Sequence, residues 1–574
     1  MKSLLRFLKN YKKETVIAPL FKMLEAIFEL FDPLVMAAII DVGIGDGDRI
    51  YVFQMCLVLV ALGVIGLACS LTAQFFAAKA ATGFATELRH DLFAHIQNFT
   101  YSRLDTIGTS TLITRMTSDV NQVQSGVNMV LRLFLRSPFI VFGSMIMAFT
   151  VDVKAALVFV VVIPLLSIVV FGVMLITMPL YKKVQSDLDK VLLITRENLT
   201  GTRVIRAFNK EEEEREHFRY QNQILTEAQK YVGRISGLLN PLTYIIANGA
   251  LVVLIYVGAV RVNIGALTQG EVVALVNYMS SILVELVKLA NLIVTITKAI
   301  ACGNRIQSVF EEKAGMSEGS QQFEKDEETT LEFDHVGLTY EGAGAESLSD
   351  ISFVAKKGQT IGIIGGTGSG KSSVVNLIPR FYDVTAGEVR INGKNVKDYA
   401  LKEIRNIVGV VPQKAVLFKG TIAQNLRWGN ETATDEELED ALECAQAKEF
   451  VDTKKGRLDF KIEQGGRNLS GGQKQRLTIA RALVKKPEIL ILDDSASALD
   501  FATDAKLRKA IREMEEKPII FIVSQRASSV QYADQILVMD DGKLAGIGTH
   551  EQLIEDCQIY QEIYYSQFPE KRSK

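Results

Sequence analysis

The chain has 574 residues, of which 23% are charged and 48% are hydrophobic, and its formal net charge is -2. A charge so close to zero excludes bulk electrostatic attraction to nucleic acid. The mean hydropathy is nevertheless +0.18. A positive value beside so many charged residues indicates one membrane-embedded portion and one soluble portion.

The N-terminal segment MKSLLRFLKNYKK is basic and amphipathic. It has no small-residue cleavage site after a short apolar core, so a removed signal peptide is not expected. Its pattern is typical of a helix that lies on the inner surface of a membrane. The five cysteines form no C-x-x-C pair and no Cys/His cluster, which predicts reduced, buried thiols.

Six apolar stretches in the N-terminal half are long enough to cross a bilayer as helices, which takes about 20 residues each. Long, polar, helix-prone connections rich in Lys and Arg follow the second and the fourth stretch, whereas the first short connection is acidic. The positive-inside rule therefore predicts that both termini and both long connections are cytoplasmic. The predicted spans lie near 16–40, 52–80, 127–150, 155–179, 236–262 and 272–296.

Charged residues recur at helical spacing inside these spans, where they are costly unless they face protein or water. One interpretation is a polar-lined cavity that carries cationic or amphipathic cargo. The other is a set of ion pairs between helices, with some arginines reaching out to the cytoplasmic surface. The residues concerned are Glu25, Glu29 and Asp32 in the first span, Arg132 and Arg136 in the third, and Glu285 and Lys288 in the sixth.

The composition becomes polar after about residue 310. We expect a transmembrane domain over 1–310, an exposed linker over 311–329 and a second domain over 330–574. The second domain begins with LEFDHVGLTY, which alternates like a strand, and with ISFVAKKGQTIGIIGG, which resembles two strands joined by a polar turn.

The second of these two strands runs directly into the nine residues GGTGSGKSS, and a helix-like segment follows. This is the pattern G-x-x-x-x-G-K-S in the setting that a phosphate-binding loop requires. The glycines let backbone N–H groups close around phosphates, Lys371 reaches the β- and γ-phosphates, and the Ser372 hydroxyl ligates magnesium. The predicted nucleotide-binding residues are Gly365, Gly366, Thr367, Gly368, Ser369, Gly370, Lys371, Ser372 and Ser373.

Two further motifs follow in order: LSGGQKQR at 469–476, and an apolar strand that ends in ILILDD. With these motifs the chain resembles the ATP-binding cassette (ABC) superfamily, and nearly its whole length resembles an exporter half-transporter. The resemblance implies an all-α transmembrane domain of six helices followed by an α/β P-loop domain. The segments 110–120 and 196–214 are similar to the family's two internal loops, which end in short coupling helices.

The resemblance also implies a role for each motif. Tyr340 would stack on adenine, Gln413 would contact magnesium and the attacking water, and Asp493 would hold magnesium. The segment Ser497-Ala498-Leu499-Asp500 would cross to the opposite subunit. The signature loop would bind the γ-phosphate of the ATP that the other subunit holds; its residues are Leu469, Ser470, Gly471, Gly472 and Gln473.

The chain departs from the family at two positions of the ATP site. Asp494 stands where the family has a catalytic glutamate, and its side chain is one methylene shorter. Gln525, in FIVSQRAS, stands where the family has a switch histidine; glutamine donates a hydrogen bond but carries no proton. Both changes predict a degenerate site that binds ATP with Mg²⁺ but hydrolyses it poorly. Trp428 and Cys444 match no motif and are interpreted as packing residues.

The intact signature loop favours a heterodimer in which this chain completes a second, non-identical half-transporter's site. The alternative is a slow homodimer in which Asp494 still positions water. We expect a subunit that exports hydrophobic compounds, multidrug efflux first and lipids or peptides second, in a bacterial inner membrane. A regulatory subunit that gates a partner is the other class of function. A soluble DNA-repair ATPase with the same signature is excluded by the predicted spans.

Overall fold

The computed structural model describes residues 2–312, 315–324, 328–495 and 499–571. The chain divides into two compact units. A membrane unit comprises Met1–Gln97 and Ser110–Glu312, and a nucleotide unit comprises Asn98–Thr109 and Lys313–Lys574. The nucleotide unit thus includes a short segment that lies within the N-terminal half of the sequence.

The membrane unit is entirely helical over its described residues. It begins with a 3₁₀ segment, Lys2–Tyr11, and contains π-helical turns at Ile39–Ile44 and Arg115–Asp119. Its helices are α1 (Lys12–Ala38), α2 (Arg49–Gln97), α4 (Thr109–Thr114), α5 (Val120–Leu133), α6 (Arg136–Val151), α7 (Val153–Thr200), α8 (Thr202–Ala207), α9 (Glu211–Gly237), α10 (Leu239–Asn263) and α11 (Gln269–Glu311). The short helix α3 (Tyr101–Ile107) belongs to the nucleotide unit.

Five helical stretches of the described chain are long and apolar enough to cross a membrane. They contain five of the six predicted spans. The remaining predicted span, near 16–40, falls in α1. This helix is not among the five, because several charged residues interrupt its apolar run. The five stretches are Arg49–Gln97, Thr109–Val151, Val153–Thr200, Glu211–Asn263 and Gln269–Glu311.

Two acidic residues of α1, Glu25 and Glu29, lie near Arg136 of α6. The guanidinium of Arg136 on α6 donates to Glu29 of α1 at 2.5 Å and to Glu285 of α11 at 2.6 Å. Glu285 also accepts from Lys288 at 2.7 Å, and only 2% of Glu285 is exposed. For Glu29, Arg136 and Glu285, which lie on three helices, these contacts support the interpretation as ion pairs between helices. Among the described residues, Asp32 and Arg132 form no such ion pair.

The nucleotide unit is built on a six-stranded sheet of order β12-β11-β3-β10-β9-β6, in which only the edge strand β12 is antiparallel to its neighbour. A four-stranded antiparallel sheet, β2-β1-β4-β5, and a small pair, β7-β8, complete it. The strands are β1 (Thr330–Leu338), β2 (Leu348–Lys356), β3 (Thr360–Gly365), β4 (Ala386–Ile391), β5 (Lys394–Asn395), β6 (Val408–Val411), β7 (Gly420–Thr421), β8 (Lys461–Ile462), β9 (Ile489–Asp493), β10 (Ile519–Val523), β11 (Gln535–Asp540) and β12 (Lys543–Gly548).

Helices cover one face of the six-stranded sheet, and a helix together with the antiparallel sheet covers the other, so its central strands are apolar on both sides. Side chains alternate between the two hydrophobic cores: Ile489 and Ile491 of β9 pack into one, Leu490 and Leu492 into the other. The helices are α12 (Lys371–Leu377), α13 (Leu401–Ile407), α14 (Ile422–Leu426), α15 (Asp435–Cys444), α16 (Lys448–Asp452), α17 (Gly471–Leu483), α18 (Phe501–Arg512), α19 (Ala527–Val530), α20 (His550–Asp556) and α21 (Gln558–Gln567). Short 3₁₀ turns lie at Arg457–Asp459, Gln464–Gly466 and Pro569–Lys571.

All five cysteines are free thiols. Cys69, Cys302 and Cys557 are buried and Cys444 is half-buried, whereas Cys56 is exposed on α2. The prediction of buried thiols is therefore wrong for Cys56. Cys56 lies on α2, whose length and composition suit a membrane span, and the outer face of such a helix is apolar without being covered by its own chain.

Candidate functional site

The parallel register of the six-stranded sheet brings distant motifs to one edge. Val523 of β10 pairs with Asp493 of β9 and with Ile363 of β3, so the loops that follow these strands leave the sheet side by side. They enclose a cleft of about 150 Å³. Its lining comes from segments that are far apart in sequence: Thr367, Gly368, Lys371, Ser372, Gln413, Asp493, Asp494, Val523, Ser524 and Gln525.

The loop between β3 and α12 requires glycine at its turn. Gly370 has a φ of 93°, a left-handed conformation that L-residues with side chains rarely adopt. A Cβ at this position would also lie 2.8 Å from the Cδ2 of Leu348 and 3.1 Å from the Ser347 carbonyl oxygen. Gly370 is therefore needed for the shape of the loop.

The same loop holds a desolvated cation. The ammonium of Lys371 donates to the carbonyl oxygens of Gly366 at 2.5 Å and Gly365 at 3.0 Å. Burial lowers the pKa of Lys371, and the charges of Asp493 and Asp494 act against that shift. An ammonium with so little water around it is suited to bind an anion such as a phosphate.

The donors for a metal ion lie next to this lysine. Ser372 Oγ donates to Asp493 Oδ1 at 3.2 Å. Burial raises the pKa of the Asp493 carboxyl, the Ser372 hydrogen bond opposes this, and the charge of Asp494 adds to it. The described residues contain no group of three or more His, Cys, Asp or Glu side chains that could hold a metal by themselves. The set fits Mg²⁺, which takes one or two carboxylates and completes its shell with phosphate oxygens and water.

The two departures from the family lie in this same cleft. Asp494 leaves β9 with a φ of 44°, and its N–H donates to the Val523 carbonyl oxygen at 2.9 Å. Its Oδ2 accepts a hydrogen bond from Gln413 Nε2 at 3.4 Å. Gln525 also lines this cleft. Both altered side chains therefore share one cleft with Lys371 and Ser372.

Tyr340 lies on the other side of the phosphate-binding loop. It lines a second cavity of about 520 Å³ together with Lys371, Ser372 and Ser373. Its hydroxyl donates to Ser373 Oγ at 3.0 Å, and its ring meets the Tyr382 ring edge-on at 5.0 Å. The half-buried ring leaves a flat aromatic surface at the mouth of this cavity.

The signature loop forms no part of either cavity. Of the described residues that line them, none lies between 469 and 473. Ser470 caps α17 by accepting from the Gln473 N–H at 3.3 Å, while the Gln473 side chain accepts from the Ser470 N–H at 3.1 Å. Ser497 and Ala498 of the predicted crossing segment lie outside the described residues. Asp500 caps α18 by accepting from the Thr503 N–H at 2.9 Å.

Within the nucleotide unit, helix α3 packs against the residues around Tyr340. Tyr382 donates its hydroxyl hydrogen to Asp105 Oδ2 at 2.7 Å, and Arg103 forms an ion pair of 3.0 Å with Glu341. Burial raises the pKa of Tyr382, and the Asp105 carboxylate raises it further. A hydrogen bond to a carboxylate is stronger than one between neutral groups, so this contact helps to hold α3 in place.

The sequence pointed to 110–120 as the first internal loop, but the helix that packs on the nucleotide unit is α3, a few residues earlier. Segment 110–120 belongs to the membrane unit. The signal that could have located α3 is Thr100, whose side chain caps the helix by accepting from the Arg103 N–H at 3.2 Å. The ring of Tyr101, which follows this cap, lies 4.4 Å from that of Phe381.

The interpretation of Trp428 as a packing residue is wrong. Its side chain is 65% exposed, and its ring stacks at 4.1 Å on Phe418, which is itself 44% exposed. Cys444 does pack against the hydrophobic core, and burial raises the pKa of its thiol to about 11.

An α/β unit with a phosphate-binding loop, in one chain with a unit of membrane-crossing helices, defines a membrane transport ATPase. Comparison with known proteins supports this assignment. Residues 15–287 match the family "ABC transporter transmembrane region", and residues 348–497 match the family "ABC transporter".

Several relatives are similar over nearly their whole length. The uncharacterized ABC transporter ATP-binding protein YfiB of Bacillus subtilis is 37% identical over 581 aligned positions, covering 100% of both chains. An ATP-dependent lipid A-core flippase of Vibrio vulnificus is 28% identical, covering 99% of this chain and 98% of the flippase. The solved structure of a bacterial Atm1-family ABC exporter with ATP bound has a TM-score of 0.79 at 22% identity, covering 97% and 99% of the two chains.

The chain belongs to the ABC transporter family, with its transmembrane and ATP-binding domains fused in one polypeptide. It is an ABC-type transporter ATPase with the fold of an exporter half-transporter.

Proposed function

We propose that this chain is the degenerate-site half of a heterodimeric exporter of hydrophobic compounds. In this proposal residues 1–310 form a six-span transmembrane domain with both termini in the cytoplasm of a bacterial cell. Residues 311–329 are the linker, and residues 330–574 form the nucleotide-binding domain. The sixth span is α1, whose charges the ion pairs of Arg136 neutralise in part.

One observation carries the proposal: Asp494 and Gln525 lie in the same cleft as an otherwise intact set of phosphate and metal donors. Lys371 and the loop amides would bind the phosphates, and Tyr340 would stack on the adenine. Ser372, Gln413 and Asp493 would hold Mg²⁺, which when bound neutralises the negative charge of the phosphate oxygens. Binding is therefore retained.

Hydrolysis is the step that these side chains support poorly. The water needs a group that orients it or accepts its proton, and that group must lie within hydrogen-bonding reach. The Asp494 carboxylate is one methylene short and accepts from Gln413. Gln525 can donate to a phosphate oxygen but cannot exchange a proton at neutral pH. An ATP held here would persist through many cycles of the partner's site.

The signature loop supports a role at a second site, because it is structured and contributes to neither cavity of its own chain. Ser470 and Gly472 would face the ATP of a non-identical half-transporter that retains the glutamate and the histidine. Closure of the two nucleotide-binding domains would reach the membrane helices through α3, which is continuous in sequence with α2 and α4. A slow homodimer is the alternative assembly, and a regulatory subunit that gates its partner is the alternative role.

Hydrophobic drugs are the proposed cargo. Lipids are the second candidate, because several relatives similar over most of the chain are described as ATP-dependent lipid A-core flippases. The first test of the proposal is ATP binding and turnover by the purified full-length chain in lipid nanodiscs. We expect saturable Mg-ATP binding with slow phosphate release. Brisk turnover by the chain alone, abolished by Lys371→Ala, would refute the degenerate site.

Cargo is tested separately in inside-out vesicles that contain the chain and its partner. We expect ATP-dependent uptake of a fluorescent hydrophobic cation such as ethidium, and its loss in Lys371→Ala vesicles. Transfer of a fluorescent phospholipid between leaflets without dye uptake would favour the lipid candidate. The variant Glu25→Gln/Glu29→Gln distinguishes a cargo-contacting role of these carboxylates from their role in ion pairs. Loss of uptake in a variant with unchanged thermal stability indicates cargo contact.

A further inference from the structure

The C-terminal helix α21 ends against the loop that carries Gln525. Gln567, the last residue of α21, donates from Nε2 to the Gln525 carbonyl oxygen at 2.8 Å. Its Oε1 accepts from the Ala527 N–H, also at 2.8 Å. One side-chain amide therefore bridges two backbone groups that flank Arg526.

These two backbone groups lie where regular structure provides no partner. Strand β10 ends at Val523 and helix α19 begins at Ala527, so residues 524–526 belong to neither. The Ala527 N–H is at the first position of a helix, where backbone donors have no intrahelical acceptor. Elsewhere in the loop, the Ser524 N–H donates to the Ile363 carbonyl oxygen at 3.0 Å and the Arg526 N–H donates to Ser524 Oγ at 3.0 Å. The bridge from Gln567 therefore fixes the backbone on both sides of Arg526.

The helix that supplies Gln567 is firmly anchored. Tyr560 and Tyr564 of α21 are 0% and 4% exposed and belong to the hydrophobic core beneath the sheet. Tyr560 Oη and His550 Nδ1 form a hydrogen bond of 2.8 Å, which links α21 to α20. The Gln567 amide therefore acts from a rigid support, as a group that positions another residue must.

We propose that Gln567 is a positioning residue, which holds the loop so that the Gln525 side-chain amide can donate to the terminal phosphate of bound ATP. The inference rests on the proposed function, in which Gln525 lines the ATP cleft at the switch position. It adds that the preference of this degenerate site for ATP over ADP depends on the C-terminal helix. A contact to the γ-phosphate is available to ATP and absent from ADP, so the two nucleotides report on it differently.

The test is equilibrium binding of Mg-ATP and of Mg-ADP to the full-length chain in lipid nanodiscs. For Gln567→Ala we expect ATP affinity to fall about fivefold, the equivalent of one hydrogen bond, with ADP affinity unchanged. Gln567→Glu keeps the size and the hydrogen-bond acceptor but loses the donor. Its affinity for ATP should fall by a similar factor. Gln525→Ala should lose as much ATP affinity as either variant. The double variant Gln525→Ala/Gln567→Ala should lose no more than the single variants. Gln558→Ala is the matched control, because Gln558 lies on the same helix and its side chain donates to the exposed Glu562, away from the Gln525 loop.

Three results would overturn the inference. A loss of ATP preference in Gln525→Ala but not in Gln567→Ala refutes the bridge and leaves the proposed function intact. An equal fall in ATP and ADP affinity for Gln567→Ala and Gln567→Glu shows a structural role only. An unchanged preference in Gln525→Ala removes the role of Gln525, and with it that part of the proposed function. If Gln567→Ala does not fold, the isosteric Gln567→Glu decides the question.

Discussion

If the ATP site is degenerate, restoring the family's residues at positions 494 and 525 should increase the rate of ATP hydrolysis. The Asp494 carboxyl is one methylene short of a glutamate, a difference in reach of about 1.5 Å. A displacement of about 1 Å in a catalytic group costs on the order of 100-fold in rate. In the absence of the partner, two copies of this chain must complete each other's sites, and we therefore expect Asp494→Glu/Gln525→His to raise the kcat of the purified chain about 100-fold. KM should change little, because Lys371 and Ser372 are untouched.

The assay is phosphate release from saturating Mg-ATP by the full-length chain in lipid nanodiscs. Each protein is measured beside the same protein carrying Lys371→Ala, which removes the ammonium from the phosphate-binding loop and sets the background. Thermal unfolding confirms that the double variant is folded. A wild-type chain that already turns over as fast as the folded double variant would refute the reasoning, because Asp494 and Gln525 would then suffice for hydrolysis.

Three further predictions concern the structure around the site. Tyr382→Phe removes the hydrogen bond to Asp105 but keeps the ring, and should reduce the stimulation of ATP turnover by transported compounds. Asp105→Asn should reproduce this loss. Full stimulation in both variants would contradict the prediction. Arg136→Gln removes the cation between Glu29 and the buried Glu285, which keeps its contact with Lys288. The loss should cost about 1–3 kcal/mol of stability, measured by unfolding in detergent, where a wild-type melting curve would count against it. Ser372→Ala removes one of the three proposed magnesium ligands and should reduce the dependence of ATP affinity on magnesium, so that EDTA weakens binding to the variant less than binding to the wild type; an equal effect of EDTA on both would contradict it.

The sequence allowed prediction of those features that depend on local pattern. The phosphate-binding loop was visible because its glycines, its lysine and the strand before it are contiguous. The two unusual residues, Asp494 and Gln525, were visible as identities at fixed places in their motifs. Their convergence in one cleft depends on strand register between β9 and β10, which the sequence indicates only through the resemblance to a family.

Features that depend on tertiary docking were not predictable. The contact between Tyr382 and Asp105 joins residues 277 positions apart, and the placement of α3 in the nucleotide unit depends on contacts of this kind. The stacking of Trp428 on Phe418 is local, but its exposure is decided by what the rest of the fold leaves uncovered. The bridge from Gln567 to the Gln525 loop carries no sequence signal, because an isolated glutamine near a C-terminus has no characteristic pattern.

The central claim is that this chain holds ATP at its own site and helps a partner hydrolyse another. The most direct test compares two variants of the native complex, captured through a tag on this chain and assayed for ATP turnover. Ser470→Arg blocks the signature loop and should nearly abolish turnover, whereas Asp494→Asn should reduce it at most slightly. Abolished turnover with Asp494→Asn, and near-normal turnover with Ser470→Arg, would contradict the account.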